Sequence, residues 1–285
     1  MVKIDGSLSN CSVGNLTGLS RTLHRVLLGL SGYRKLKYIK IIRYSIIHFI
    51  LIGLLAFYSG CGSHENPVAV DEHLYHPLRV GDYRIFKIKE TQISAFDVKK
   101  NFEYEIKAII TDSIANAAGT FTYVIARLRR TLATDAWASL DTWTSRMDSK
   151  EVIVQEGNVP FLKFNFPIEA GREWNGNKYN NLESVEFCDD TNITSCDLYS
   201  FGEIEKPYTT NAGLTFEKTI EIVENNNLDL IVKQDVRRAI YAWQVGLIFR
   251  EINVLEYCTV GDCFGKQKVQ SGLIYQQELT AYGRE

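Results

Sequence analysis

Phe102, Tyr104, Ile106, Ala108 and Ile110 alternate with Glu103, Glu105, Lys107 and Ile109. A side-chain period of two is what a strand with one buried face requires. The period recurs along the chain. Phe121, Tyr123 and Ile125 continue it after a small-residue break at 115–119. Phe161, Lys163 and Asn165 alternate against Leu162, Phe164 and Phe166, with Pro160 and Pro167 bounding the run. Extended runs at 216–223 and 228–232 flank Asn225, Asn226 and Asn227, which read as a turn between two strands. Residues 246–257 and 272–282 are two further aromatic-containing runs. No stretch after residue 78 sustains a helical apolar stripe. The best helical candidate is 135–147, where Trp137 and Trp143 fit a strand nearly as well. Many short strands with no dividing linker predict one all-β domain over residues 78–285, an antiparallel half-open barrel or curved sheet.

The charge is unevenly divided. Residues 1–60 carry eight Lys and Arg against one acid, Asp5, whereas residues 61–285 hold 24 bases and 33 acids, a net of −9. Phosphate neutralisation needs surplus cations, so nucleic acid is not expected as a partner. Arg34, Lys35, Lys37, Lys40 and Arg43 precede a short apolar run at 45–57, and a polar switch follows Cys61. A basic segment, a short apolar core and small residues form the layout of a secretory signal, predicted here over 34–60. The apolar run falls short of the roughly 20 residues that a spanning helix needs. Residues 1–33 are unusually many for a region preceding such a signal, and are read as an extension upstream of the true start. Residues 61–77, with Pro67, Pro77 and scattered charges, read as a tether.

Ser59, Gly60 and Cys61 resemble the end of a bacterial lipobox, with Tyr58 standing where Leu is usual. The resemblance implies diacylglyceryl attachment and acylation at Cys61 (palmitate-type chains), and two or more chains are what stable anchoring requires. A second likeness rests on three segments: residues 76–83, opening with His76-Pro77-Leu78; Phe166-Pro167 with 171–174; and 241–248, opening with Tyr241-Ala242-Trp243. Together they resemble lipoproteins common in the Bacteroidota and, more distantly, the incomplete antiparallel barrels of periplasmic lipoprotein carriers. The lipoprotein reading at Cys61 gives a cell-envelope location, taken as the outer membrane on its periplasmic face or at the cell surface, and the second likeness implies a curved sheet with an apolar hollow. It implies no known ligand.

Cys188, Cys196, Cys258 and Cys263 follow the lipobox cysteine. An even count in an exported chain predicts disulfides. Three connectivities are open, and the short loops Cys188–Cys196 and Cys258–Cys263 are preferred. Zinc fits less well, because structural sites place two to four residues between paired cysteines.

All five histidines, His24, His48, His64, His73 and His76, precede residue 77. The predicted domain therefore has no imidazole base for Ser-His-Asp or Cys-His catalysis. His64, Glu65, Asp71, Glu72, His73 and His76 could gather a metal weakly, but a solvated tether pre-organises no ligand set. No Walker-type or dinucleotide-binding glycine motif occurs. No cofactor, metal or catalytic residue is expected. Carboxylate chemistry needs no histidine, so Asp189 with Asp190, Glu203 with Glu205, or Asp141 keep a glycan-hydrolase reading open.

The aromatics remain. Most should fill the core, yet Trp174, Asn175, Asn177 and Tyr179 combine rings with amides on an expected loop. With Trp243, they are the candidate ligand or partner contacts. Asp112-Ser113-Ile114 resembles a Bacteroidota O-glycosylation site, with Ser113 as the acceptor. The leading expectation is non-catalytic binding of an apolar or amphipathic ligand, such as a lipid, by an exported lipoprotein. An interaction subunit of an envelope assembly, with a solid core and an exposed aromatic patch, is the alternative; a glycan or an envelope protein are the other partners considered.

Overall fold

The computed structural model describes residues 71–94, 98–117, 119–182 and 198–285. Ala69–Glu285 is a compact unit that contains every strand and core cluster set out below. The domain is all-β: β1 (Asp82–Ser94), β2 (Val98–Ala115), β3 (Phe121–Arg130), β4 (Ala138–Met147), β5 (Glu151–Glu156), β6 (Val159–Asn165), β7 (Glu173–Asn175), β8 (Leu198–Thr209), β9 (Thr215–Asp229), β10 (Lys233–Ala242), β11 (Gly246–Tyr257) and β12 (Val269–Arg284). All pairings are antiparallel, in the order β6-β5-β4-β3-β2-β1-β12-β11-β10-β9-β8-β7. First and last strands pair at the centre of this order, and the sheet twist carries its two edges, β6 and β7, toward each other.

The barrel is nearly closed, with a seam that no continuous ladder seals. Across it, the Leu162 N–H donates to the Gly176 carbonyl at 2.9 Å. The Trp174 indole Nε1–H donates to the Leu162 carbonyl at 2.9 Å, and Asn180 Nδ2 to the Pro160 carbonyl at 2.8 Å. Position 176 needs glycine, because a Cβ there would lie 2.3 Å from the Tyr199 ring.

Alternation up and down the barrel sorts its turns into two ends. The chain reaches β1 at the proximal end, where Leu74 accepts the Gln244 N–H of the β10–β11 turn at 2.8 Å. The β1–β2, β9–β10 and β11–β12 turns lie at the distal end. One core cluster gathers Phe164, Phe166, Trp174, Tyr199, Phe201 and Tyr241 beside the seam. A second gathers Phe86, Ile88, Ile106, Ile248 and Leu279 around the central strands.

Four local expectations differ from the structure. The segment 71–77, expected as tether, packs onto the barrel: Glu72–Tyr75 is a 3₁₀ turn, Tyr75 is buried, and Glu72 accepts the Ile168 N–H at 3.0 Å. Asn225–Asn227 lie inside β9, because pairing with Val236 and its neighbours on β10 overrides their turn preference. The chain turns instead just after Asp229. The candidate helix at 135–147 is largely strand β4. Lys163, expected on the solvent face of an alternating strand, is buried between buried Leu162 and Phe164. A bulge explains it: Val152 pairs with Phe164 and Ile153 with Leu162, so Lys163 has no partner in the ladder and the alternation breaks.

Candidate functional site

Two bulges aim charge into the lumen. On β9, Val223 pairs with Arg238 and Asn225 with Arg237, which leaves Glu224 as the extra residue. Glu224 Oε1 lies 2.7 Å from Lys163 Nζ, and Glu156 Oε1 lies 3.1 Å from the same ammonium. Arg250 on β11 donates through one nitrogen to both Glu156 oxygens, at 3.1 and 3.0 Å, and lies 3.4 Å from Glu224. The four side chains come from β5, β6, β9 and β11, so the network ties one wall of the barrel to the other. Burial alone would raise the carboxyl of Glu224, but Lys163 and Arg250 outweigh it and hold the pKa at about 2. Glu156 is likewise held below the ordinary carboxylate range: burial raises it, and Arg250 and Lys163 more than compensate. Both acids stay ionised.

Beside this network is a half-open cavity of about 80 Å³. Phe86, Ile106, Ile125, Trp143 and Leu247 give it apolar walls, and His76, Arg84 and Arg127 bring polar groups to it. The guanidinium of Arg84 bonds to backbone carbonyls, those of Val245 and Pro77, rather than to a carboxylate. Burial lowers its pKa to about 10, which leaves it cationic at neutral pH. His76 Nε2 lies 2.9 Å from Ser145 Oγ. Burial, and then the Arg84 charge, push its pKa down to about 3, so the ring is neutral. Arg127 holds Asp141 at 2.8 and 3.1 Å and stacks 3.8 Å from the Trp143 ring centre. The arrangement can receive an apolar body carrying one anionic group.

Sequence reasoning did not find this site. The available signal was a charge inside each apolar run: Lys163 among Phe161–Phe166, and Arg250 after Leu247-Ile248-Phe249. The residues singled out as contacts fall elsewhere. Trp174 is buried in the seam, Asn175 Oδ1 accepts the Asn177 N–H, and Tyr179 donates to Glu151 on the outside of the sheet. Trp243, at the proximal β10–β11 turn, is half-buried, with Lys218 Nζ 5.7 Å from its ring centre. Trp243 packs against the same core cluster that contains Trp174. Ser113 lies within β2, opposite Tyr123, and its N–H donates to the Asp112 carboxylate at 2.7 Å. Cys258 and Cys263 form a disulfide with Cα atoms 5.8 Å apart. Cys61, Cys188, Cys196, Asp189 and Asp190 lie outside the described residues. Glu203 lies 3.6 Å from Lys206 on the surface. Among the described residues, no group of three or more His, Cys, Asp or Glu is placed to hold a metal ion.

Fold and site together define a class: a nearly closed twelve-stranded antiparallel barrel with a charge-bridged lumen. No family model matches the chain, and no curated protein matches it. Among solved structures it is similar to a candidate exported protein with a YmcC-like fold from Bacteroides fragilis, at 11% identity and a TM-score of 0.38. The alignment covers 73% of this chain and 98% of the other. A candidate lipoprotein from Parabacteroides distasonis aligns over the same shares at 11% identity and a TM-score of 0.33. The likeness to periplasmic lipoprotein carriers gains no support from these two structures. Scores this low carry no argument about function.

Proposed function

We propose that this protein is an exported lipoprotein, held at a cell-envelope membrane by acyl chains on Cys61, whose barrel binds a small amphipathic anion without transforming it. The observation that carries the binding reading is the lumen cavity: apolar walls facing Arg84, a half-buried cation that among the described residues is bonded only to carbonyl oxygens. A cation partly withdrawn from water and without a carboxylate partner attracts an anionic group more strongly than it would in water. The size narrows the earlier expectation. About 80 Å³ is well under the several hundred that enclose a drug-sized ligand, so a whole lipid is a poor fit. Export is supported by the signal layout of 34–61 and by the Cys258–Cys263 disulfide, which suits an oxidising compartment. Within the envelope, the outer membrane is the location proposed.

Native mass spectrometry of the protein purified from a periplasm tests the reading. A small extra mass that leaves on denaturation is expected, and it should be absent from Ala108→Leu, which enlarges a side chain lining the cavity, and weakened in Arg84→Gln. Bare protein in every preparation would overturn it. The second reading would then lead, a filled barrel serving as an interaction subunit, which the side-chain network bridging the lumen favours.

A further inference from the structure

Three hairpin turns stand side by side at the distal rim, because the sheet order places β2-β1, β12-β11 and β10-β9 consecutively. Apolar side chains are exposed at or beside each of them. Val98 is 51% exposed beside the β1–β2 turn, and Leu228 and Ile231 are 57% and 52% exposed at the β9–β10 turn. Val260 and Phe264, at 72% and 59%, crown the β11–β12 loop. That loop is braced by the Cys258–Cys263 disulfide and joined to its neighbour where the Tyr257 N–H meets the Val232 carbonyl at 2.8 Å. A cluster of exposed apolar groups on adjacent turns marks a contact surface, whereas single exposed residues do not.

The charge around these groups says what the surface meets. Segments 98–100, 228–233 and 258–268 hold five lysines (Lys99, Lys100, Lys233, Lys266, Lys268) and two acids, a net of +3 on a chain that is −9 from residue 61 onward. All five lysines are exposed, and none forms an ion pair among the described residues. A second copy of this rim would be repelled by the same charge. A protein partner would want a concave pocket for its anchors, whereas these side chains project from separate turn tips. Projecting apolar groups ringed by lysine suit a fluid, negatively charged layer, in which rings and aliphatics enter the headgroup–acyl boundary and ammonium groups face phosphates.

We propose that the distal rim docks on an anionic lipid surface. The test is pelleting of the 69–285 domain, which carries its own core, with vesicles of phosphatidylcholine alone or mixed with phosphatidylglycerol. Binding to the mixed vesicles is expected, with weaker binding to phosphatidylcholine and loss at high salt. V260D/F264D should lower the partition by about tenfold or more, since both side chains lose their burial in the layer. K266Q/K268Q should lower it by about fivefold per lysine on anionic vesicles and leave neutral ones unaffected. Unchanged near-ultraviolet circular dichroism in each variant would show that the fold is intact, as expected for exposed positions. No binding to either vesicle, or binding that the tip variants leave unchanged, would overturn the proposal. So would a dimer in sedimentation equilibrium that V260D/F264D splits, which would identify a second copy as the partner.

Discussion

Lys163 shows how a single residue can contradict its sequence pattern for a physical reason. Flanked by Leu162 and Phe164, it would face solvent in a regular strand, yet its side chain is only 3% exposed. The bulge that turns it inward is compensated only because Glu156 and Glu224 wait across the lumen. The Lys163–Glu224 partners lie 61 positions apart and the Arg250–Glu156 partners 94 apart, beyond any local pattern. The charges were legible one at a time, but their meeting was not. Lys163→Ala leaves two buried carboxylates facing each other with Arg250 alone between them. It should destabilise the domain by about 3–5 kcal/mol, the range for breaking a buried pair. K163M/E224L removes one charge of each sign and should recover most of that loss, read from urea midpoints at constant m. If the double variant were as unstable as the single one, packing rather than charge would dominate at this site.

Among the elements, the strands with clean alternation were read well. Phe102–Ile110 lies in β2, and Phe121–Ile125 in β3. Where alternation was weak, local preference misled. Three asparagines suggested a turn, but each is paired with β10, and the ladder decides the matter because its hydrogen bonds and side-chain contacts are cooperative over the whole strand. Trp143 was ambiguous between helix and strand, and the contacts that select the strand come from β3, where Ile125 is its ladder partner and Arg127 lies over its ring. The stretch from Trp174 to Asn180 is the instructive case. Rings, amides and glycine there read as a binding loop, but Trp174 and Asn180 donate to the Leu162 and Pro160 carbonyls and hold β6 near β7. Gly176→Ala would drive a methyl group into the Tyr199 ring. It should cost about 1–3 kcal/mol, as overpacking does. The loss should localise: hydrogen exchange at the Leu162 amide, whose acceptor is the Gly176 carbonyl, should accelerate more than exchange in β1 or β12. Uniform acceleration would mean that the seam and the central strands open together.

For the whole molecule, the buried titratable groups set a pH profile. His76 was expected in a solvated tether; held inside the barrel next to Arg84, it remains neutral down to about pH 3. The unfolded chain protonates it near 6.5. Between those values only the unfolded state gains the proton, so stability falls as pH drops below about 6.5. Glu224 adds a second stage of the same sign. Its carboxyl protonates near 4.5 when unfolded and near 2 when folded, so its contribution is full above 4.5 and is lost as pH falls toward 2. Glu156, also held low by Arg250 and Lys163, acts in the same direction. The domain should therefore hold its urea midpoint near neutrality, lose stability gently from pH 6.5 to 4.5, and lose it steeply below that. His76→Gln should flatten the first stage and leave the second. Glu224→Gln should lower stability at pH 7 while weakening the acid stage, because a carboxylate that stabilised the fold is gone. A wild-type midpoint that rose between pH 6.5 and 4.5 would place His76 in its charged form within the barrel. An anionic ligand bound near Arg84 would shift the balance the same way, by favouring a protonated ring, so the gentle stage should shrink when the cavity is occupied.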